Sequence, residues 1–152
     1  SQCRLDEVVA AQIARVRETA GRTALDLSLD APPPLWVDAP ATLLGVAVRN
    51  LVDNAVRHGG DGPIRVSVSP GEERVQDAGP GLDAQARTWV FQRHARGAPA
   101  SVPGSGLGLA IVRRICERAG WRVEVQALSP GVSFRLRVPA SSRNPHADLT
   151  LP

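Results

Sequence analysis

Two asparagines stand four residues apart in "VAVRNLVDNAVRHGG", residues 46–60: Asn50 and Asn54. Val46, Val48, Leu51, Val52, Ala55 and Val56 give this stretch an apolar helical character. Residues four apart on a helix point the same way, so both amides share one face. Asn is a mediocre helix former, because its side chain competes for backbone hydrogen bonds. Two satisfied core amides are one reading of the pair. The other is chemical: an amide oxygen is a hard ligand, suited to a Mg²⁺ that also holds substrate phosphates.

Two glycine-rich turns carry related chemistry. "DAGPG" places Asp77, Gly79 and Gly81 directly after the alternating stretch "RVQD", with Leu82 next in line. A carboxylate at such a strand end can accept a hydrogen bond from the exocyclic amine of adenine, and glycines let the backbone approach the base. "GSGLGL" places Gly104, Ser105, Gly106, Leu107 and Gly108 at the opening of a helix. Unpaired N–H groups there, at the positive end of the helix dipole, form an anion site that suits phosphates. It is no Walker loop, since the chain contains no Lys, and its G-x-G-x-G spacing is not the Rossmann G-x-G-x-x-G. A fourth motif, "VFQRHARG", surrounds Phe91. Each motif alone has a plain structural reading as turn, cap or core; the set converges on nucleotide binding.

The elements that must position these residues follow from periodicity and turn chemistry. Leu5, Val8, Val9, Ile13 and Val16 predict a helix from residue 5 to about 20. "ALDLSLDA" alternates as a strand, and a proline-marked loop holds a short strand around residues 35–37. Asp38 and Pro40 read as the start of the Asn50 helix, which runs to His58 and ends at "GGDGP". "IRVSVS" and "RVQD" are strands joined through a turn at "PGEE". A short helix is predicted to end near Val90, and residues 94–106 read as a mobile segment. Leu107, Ile111, Ile115, Cys116 and Ala119 trace a helical stripe closed by Gly120, followed by strands in "WRVEVQA" and "VSFRLRV". Hairpins interleaved with helices predict an α+β fold: a two-layer sandwich with helices on one face of a mixed, mostly antiparallel sheet.

Bulk composition narrows the function. The 152 residues suit one domain with a proper core, and 43% hydrophobic with 22% charged residues is ordinary for a globular protein. No apolar run approaches the roughly 18 residues of a membrane span. The net charge of +3 is all arginine, scattered among 15 acids with five aromatic residues, which argues against nucleic acid. Cys3 and Cys116 have no metal-ligand spacing. A chain that opens "SQC" and lacks Met reads as a piece of a longer protein.

Over residues 5–139 the four motifs, in this order, resemble the ATP-binding catalytic domain of bacterial sensor histidine kinases. This domain belongs to the GHKL superfamily, of Bergerat fold, shared with gyrase-type topoisomerases and mismatch-repair ATPases. The resemblance makes "NLVDNAVRH" the N box, "DAGPG" and "GSGLGL" the glycine boxes, and "VFQRHARG" the F box. It implies that Asn54 ligates Mg²⁺, that Asn50 lines the phosphate site, that Arg57 contacts phosphate and that His58 lies near the nucleotide. It implies that Asp77 binds adenine, with Gly79, Gly81, Leu82, Gly104, Ser105, Gly106, Leu107 and Gly108 around ATP, and that the segment before "GSGLGL" is a lid. The chain departs from the pattern at His94 and Ala95, where the F box carries aromatics, in its short lid, and at Gln76.

Relatives in this superfamily that hydrolyse ATP carry a Glu general base where this chain has Asn50. A neutral amide cannot accept a proton at neutral pH, which favours transfer to a protein acceptor over hydrolysis. The resemblance thus implies a histidine kinase that passes the ATP γ-phosphoryl to a His on a separate dimerisation domain, for relay to a response regulator receiver domain. His58, His94 and His146 do not lie in an acceptor helix, so the acceptor is expected upstream of Leu5. A homodimeric inner-membrane sensor is the expected whole, with this fragment monomeric and cytoplasmic, residues 1–4 the end of a linker and residues 140–152 a flexible tail. An anti-sigma-factor-type Ser/Thr kinase and a degenerate nucleotide-binding interaction module are the competing readings.

Overall fold

The computed structural model describes residues 1–21, 24–79 and 105–145, and of residues 105–107 the backbone alone. The chain opens with β1 (Cys3–Arg4) and α1 (Leu5–Ala20). Leu5, Val9, Ile13 and Val16 form the buried stripe of α1, and Gly21 ends it in the left-handed region at φ 62°. There follow β2 (Leu25–Leu29), β3 (Trp36–Val37), α2 (Ala41–His58), β4 (Ile64–Ser69) and β5 (Glu72–Asp77). After the undescribed segment come α3 (Ser105–Ala119), β6 (Arg122–Ala127) and β7 (Val132–Arg137).

Five strands form one sheet in the order β2-β4-β5-β7-β6. The β2–β4 pair is parallel and the other three pairs are antiparallel, as the interleaved hairpins predicted. One sheet face is apolar but for the buried acids Glu73 and Asp77: Ile64, Val66, Val68, Val75, Val132, Phe134 and Leu136 are buried on it. Three helices cover it among the described residues, with α2 packed between α1 and α3. The other face is polar. Glu72 lies 3.2 Å from Arg137, 3.6 Å from Arg135 and 3.8 Å from Arg74, a network on the solvent side where each pair contributes little.

The structure corrects several details. Cys3–Arg4 is not only linker: it pairs antiparallel with Trp36–Val37 in a separate two-stranded sheet. Of the two residues read as the start of α2, Asp38 lies before it. Pro40 is the N-cap residue, and the Asp38 N–H donates 2.9 Å to Pro139 O. The "PGEE" turn is only Pro70–Gly71, with Gly71 at φ 70°, so Glu72 and Glu73 belong to β5. On α3 the buried stripe is Leu109, Val112 and Cys116, while Ala119 is exposed. Residues 140–145 are docked rather than loose. Ala140 bridges Val37, Ser141 N–H donates 2.9 Å to Trp36 O, and Asn144 Oδ1 accepts 2.6 Å from Trp36 N–H. The Arg143 guanidinium lies 3.7 Å from the Trp36 ring centre, a cation–π contact. His146 and the residues after it lie outside the described chain.

Candidate functional site

The C-terminal half of α2 sets the first wall. Asn50 is half-buried and its Nδ2 donates 2.8 Å to Val46 O, one turn back on the same helix. This back-bond fixes the amide, so that Oδ1 faces α3: a Cβ built on Gly108 would stand 3.1 Å from it. Asn54 is 4% exposed, one turn further on. Arg57 is exposed and His58 half-buried in the last turn, which Gly59 closes with its N–H 2.7 Å from Ala55 O. A cation at a helix C-terminus complements its dipole, so the exposed Arg57 is favourably placed in this last turn.

The end of β5 sets the second wall. Asp77 is 4% exposed, and its Oδ1 accepts the Gly79 N–H at 3.0 Å. Such a bond from the side chain to the backbone two residues on closes a compact turn. Glycines surround it. A Cβ on Gly59 would stand 2.7 Å from Asp77 Cβ, and one on Gly79 2.7 Å from the Gly59 carbonyl carbon. A Cβ on Gly131, which has φ 98°, would stand 1.9 Å from Asp77 O. Only glycine fits there without a backbone shift. Gly59 was read in the sequence as part of the stretch that ends the Asn50 helix, and Gly131 drew no reading; nothing local signals that both abut Asp77, because both contacts are made across the fold.

The N-terminus of α3 is the third wall. Ser105 is the first helical residue, so Gly106 and Gly108 lie in the first turn, where backbone N–H groups lack helical acceptors. The structure thus joins the "NLVDNAVRH" and "GSGLGL" motifs through Asn50 and Gly108, and the α2 end to the "DAGPG" motif through Gly59, Asp77 and Gly79. Gly81, Leu82, Phe91, His94 and Gly104 lie outside the described residues, as does the expected lid. A cavity of about 250 Å³ lined by Asp26, Arg65, Gln76 and Asp77 is bordered by the polar face of the sheet, behind the strand end; Asn50 and Asn54 do not line it.

Mg²⁺ fits a limited role here. No group of three His, Cys, Asp or Glu side chains among the described residues is placed to cage a metal. A Mg²⁺ held by one or two side-chain oxygens and by substrate phosphates needs no such cage, and the carbonyl oxygens of Asn50 and Asn54 are the right donor type.

The family model described as "Histidine kinase-, DNA gyrase B-, and HSP90-like ATPase" matches residues 40–142. The signal transduction histidine-protein kinase/phosphatase MprB of Mycolicibacterium vanbaalenii is 36% identical over 134 residues, covering 84% of this chain and 27% of that protein. The sensor-like histidine kinase SenX3 of Mycobacterium tuberculosis is 33% identical over 154 residues, covering 95% of this chain and 37% of the relative. Among solved structures, a mycobacterial sensor histidine kinase MprB aligns with a TM-score of 0.70 at 31% identity, over 92% of this chain and 97% of that one. This chain therefore spans 27% and 37% of the length of these two curated relatives.

Proposed function

Because the chain belongs to the histidine kinase-, DNA gyrase B- and HSP90-like ATPase family, we propose that it is the ATP-binding catalytic domain of a two-component sensor histidine kinase. It transfers the ATP γ-phosphoryl to a His on a separate dimerisation domain, for relay to a response regulator. The observation that carries this reading is Asn50, a neutral amide tied to its own helix at 2.8 Å, where the resemblance puts the general base of the hydrolytic relatives. Without a base there, water is not activated, and the bound phosphoryl group awaits a better nucleophile.

The remaining assignments follow the walls of the site. Asp77 accepts a hydrogen bond from the adenine amine, and Gly79 and Gly81 let the base lie against the backbone. Gly104, Ser105, Gly106, Leu107 and Gly108 bring the α3 N-terminus to the phosphates, with Arg57 and His58 opposite. Asn54 would hold Mg²⁺, with Asn50 beside it, and the ion would neutralise phosphate charge. Phosphoryl transfer needs mainly positioning and charge neutralisation from a protein, which these groups supply.

No helix among the described residues is long and apolar enough to cross a membrane. The sensor, the membrane anchor and the dimerising hairpin belong to the proposed whole protein, with this domain on the cytoplasmic side of the inner membrane. The test is phosphotransfer. The chain is incubated with γ-labelled ATP, Mg²⁺ and a dimerisation domain carrying the acceptor His. Acid-labile label on that domain is expected. Acid-stable label would mark a Ser/Thr kinase instead, and no calorimetric heat with Mg-ATP would defeat the reading at its first step.

A further inference from the structure

Glu73 is a carboxyl in an apolar place. It faces the helix layer with Val75 and Asp77, is 0% exposed, and neither of its oxygens has a hydrogen-bond partner among the described residues. Its cross-strand neighbours are Val68 of β4 and Leu136 of β7. The faces of β4 and β7 on this side carry only Ile, Val, Phe and Leu. Helix α2, packed on β5, buries no titratable side chain; its Arg49 and Arg57 are exposed, and Asp53 and His58 are half-buried. On α1 the one buried titratable residue, Asp6, is engaged by Arg4 at 2.6 Å and by the Leu35 N–H at 2.9 Å. Asp77, four residues along β5, is the nearest buried acid in sequence. Desolvation therefore disfavours the ionised form of Glu73, with no opposing partner among the described residues. Burial pushes its carboxyl up from 4.5 to about 8.

We propose that Glu73 is a proton-linked switch in the interface between β5 and α2. As a neutral acid it fills the interface. When it releases its proton to solvent, the unpaired charge loosens α2 from β5, and with them the helix edge and strand end that carry Asn54 and Asp77. The consequence for nucleotide rests on the function proposed above; the loosening itself does not.

Two neutral variants of the 152-residue chain, Glu73→Gln and Glu73→Leu, test this against the parent. Either variant suffices if the other fails to fold. Urea denaturation is followed from pH 5 to 9. The folded acid binds a proton that the unfolded one has released, so the parent loses stability as pH rises. Relative to a neutral variant, its folding equilibrium constant is expected to fall about tenfold per pH unit up to about pH 8, then level off. A constant ratio across that range overturns the switch. Mg-ATP affinity of the parent should weaken at least threefold between pH 6.5 and 8.5, more than in either variant. An equal pH dependence in all three overturns the coupling to the site. Absence of ATP binding in every protein would overturn the nucleotide reading instead, while the denaturation curves still decide the switch.

Discussion

Asn50 and Gly108 meet across the α2–α3 interface, with Asn50 Oδ1 3.1 Å from the point where a Cβ on residue 108 would stand. The contact couples a back-bonded amide to the first turn of the helix that presents its N–H groups. Gly108→Ala removes a helix-destabilising glycine, worth roughly 0.5–1 kcal/mol in favour of folding. It also forces Asn50 to give way. Thermal stability should hold or rise while Mg-ATP affinity falls about threefold or more, read by denaturation and calorimetry on the same sample. Unchanged affinity would show that the contact plays no part in binding.

Asn54 is nine-tenths buried at the edge of the site. Its replacement by Ala should remove the Mg²⁺-dependent part of ATP affinity, a loss of tenfold or more. Affinity measured in EDTA should barely change. The fold should lose about 1–2 kcal/mol, typical of a buried polar group removed from its setting. Equal losses with and without Mg²⁺ would assign Asn54 to packing.

Gly131 and Gly120 both have positive φ, at 98° and 78°, but only Gly131 is hemmed in. A Cβ at 131 would stand 1.9 Å from Asp77 O, whereas one at 120 meets nothing within 4 Å. Gly120→Ala should cost about 1 kcal/mol of backbone strain. Gly131→Ala should cost at least twice as much and weaken nucleotide binding, because Asp77 must move. Similar unfolding midpoints for the two variants would refute the crowding.

Asn144 bonds Trp36 N–H at 2.6 Å, Trp36 O at 3.0 Å and Ser141 O at 2.7 Å. Asn144→Ala should lower stability by about 1–3 kcal/mol. Truncation after Pro139 should cost more, since it also removes the Ser141 and Arg143 contacts with Trp36. Urea midpoints check both, and an unchanged midpoint on truncation would return residues 140–145 to the status of a loose tail.

The two thiols should differ in reactivity. Cys116 is pushed up to about 11 by burial and, secondarily, by the Glu117 charge. Its thiol stays protonated until the pH nears that value, so at pH 8 only about a thousandth is thiolate, the form that reacts. Cys3 is raised by burial but half-buried. Titration with a chromogenic disulfide should show one fast thiol in the folded chain and two after denaturation.

Sequence by itself determined what depends on neighbours. Helical stripes, alternating strands and glycine turns are short-range patterns, so α1, α2, β2, β4, β6 and β7 were legible within a residue or two of their ends. The four candidate motifs stand out in the sequence for the same reason, each being contiguous. Two-residue strands carry no alternation, which hid the β1–β3 pair. A tail becomes part of the fold only when its partner is near, and Asn144 finds Trp36 at a separation of 108 residues. The inward face of Glu73 depended on where a turn ended, and one residue of register decides which side of a sheet a charge occupies. Tertiary structure alone could bring Gly59 and Gly131 against Asp77 and Gly108 against Asn50. Those contacts join segments far apart in the chain, and no local pattern encodes a distance between them.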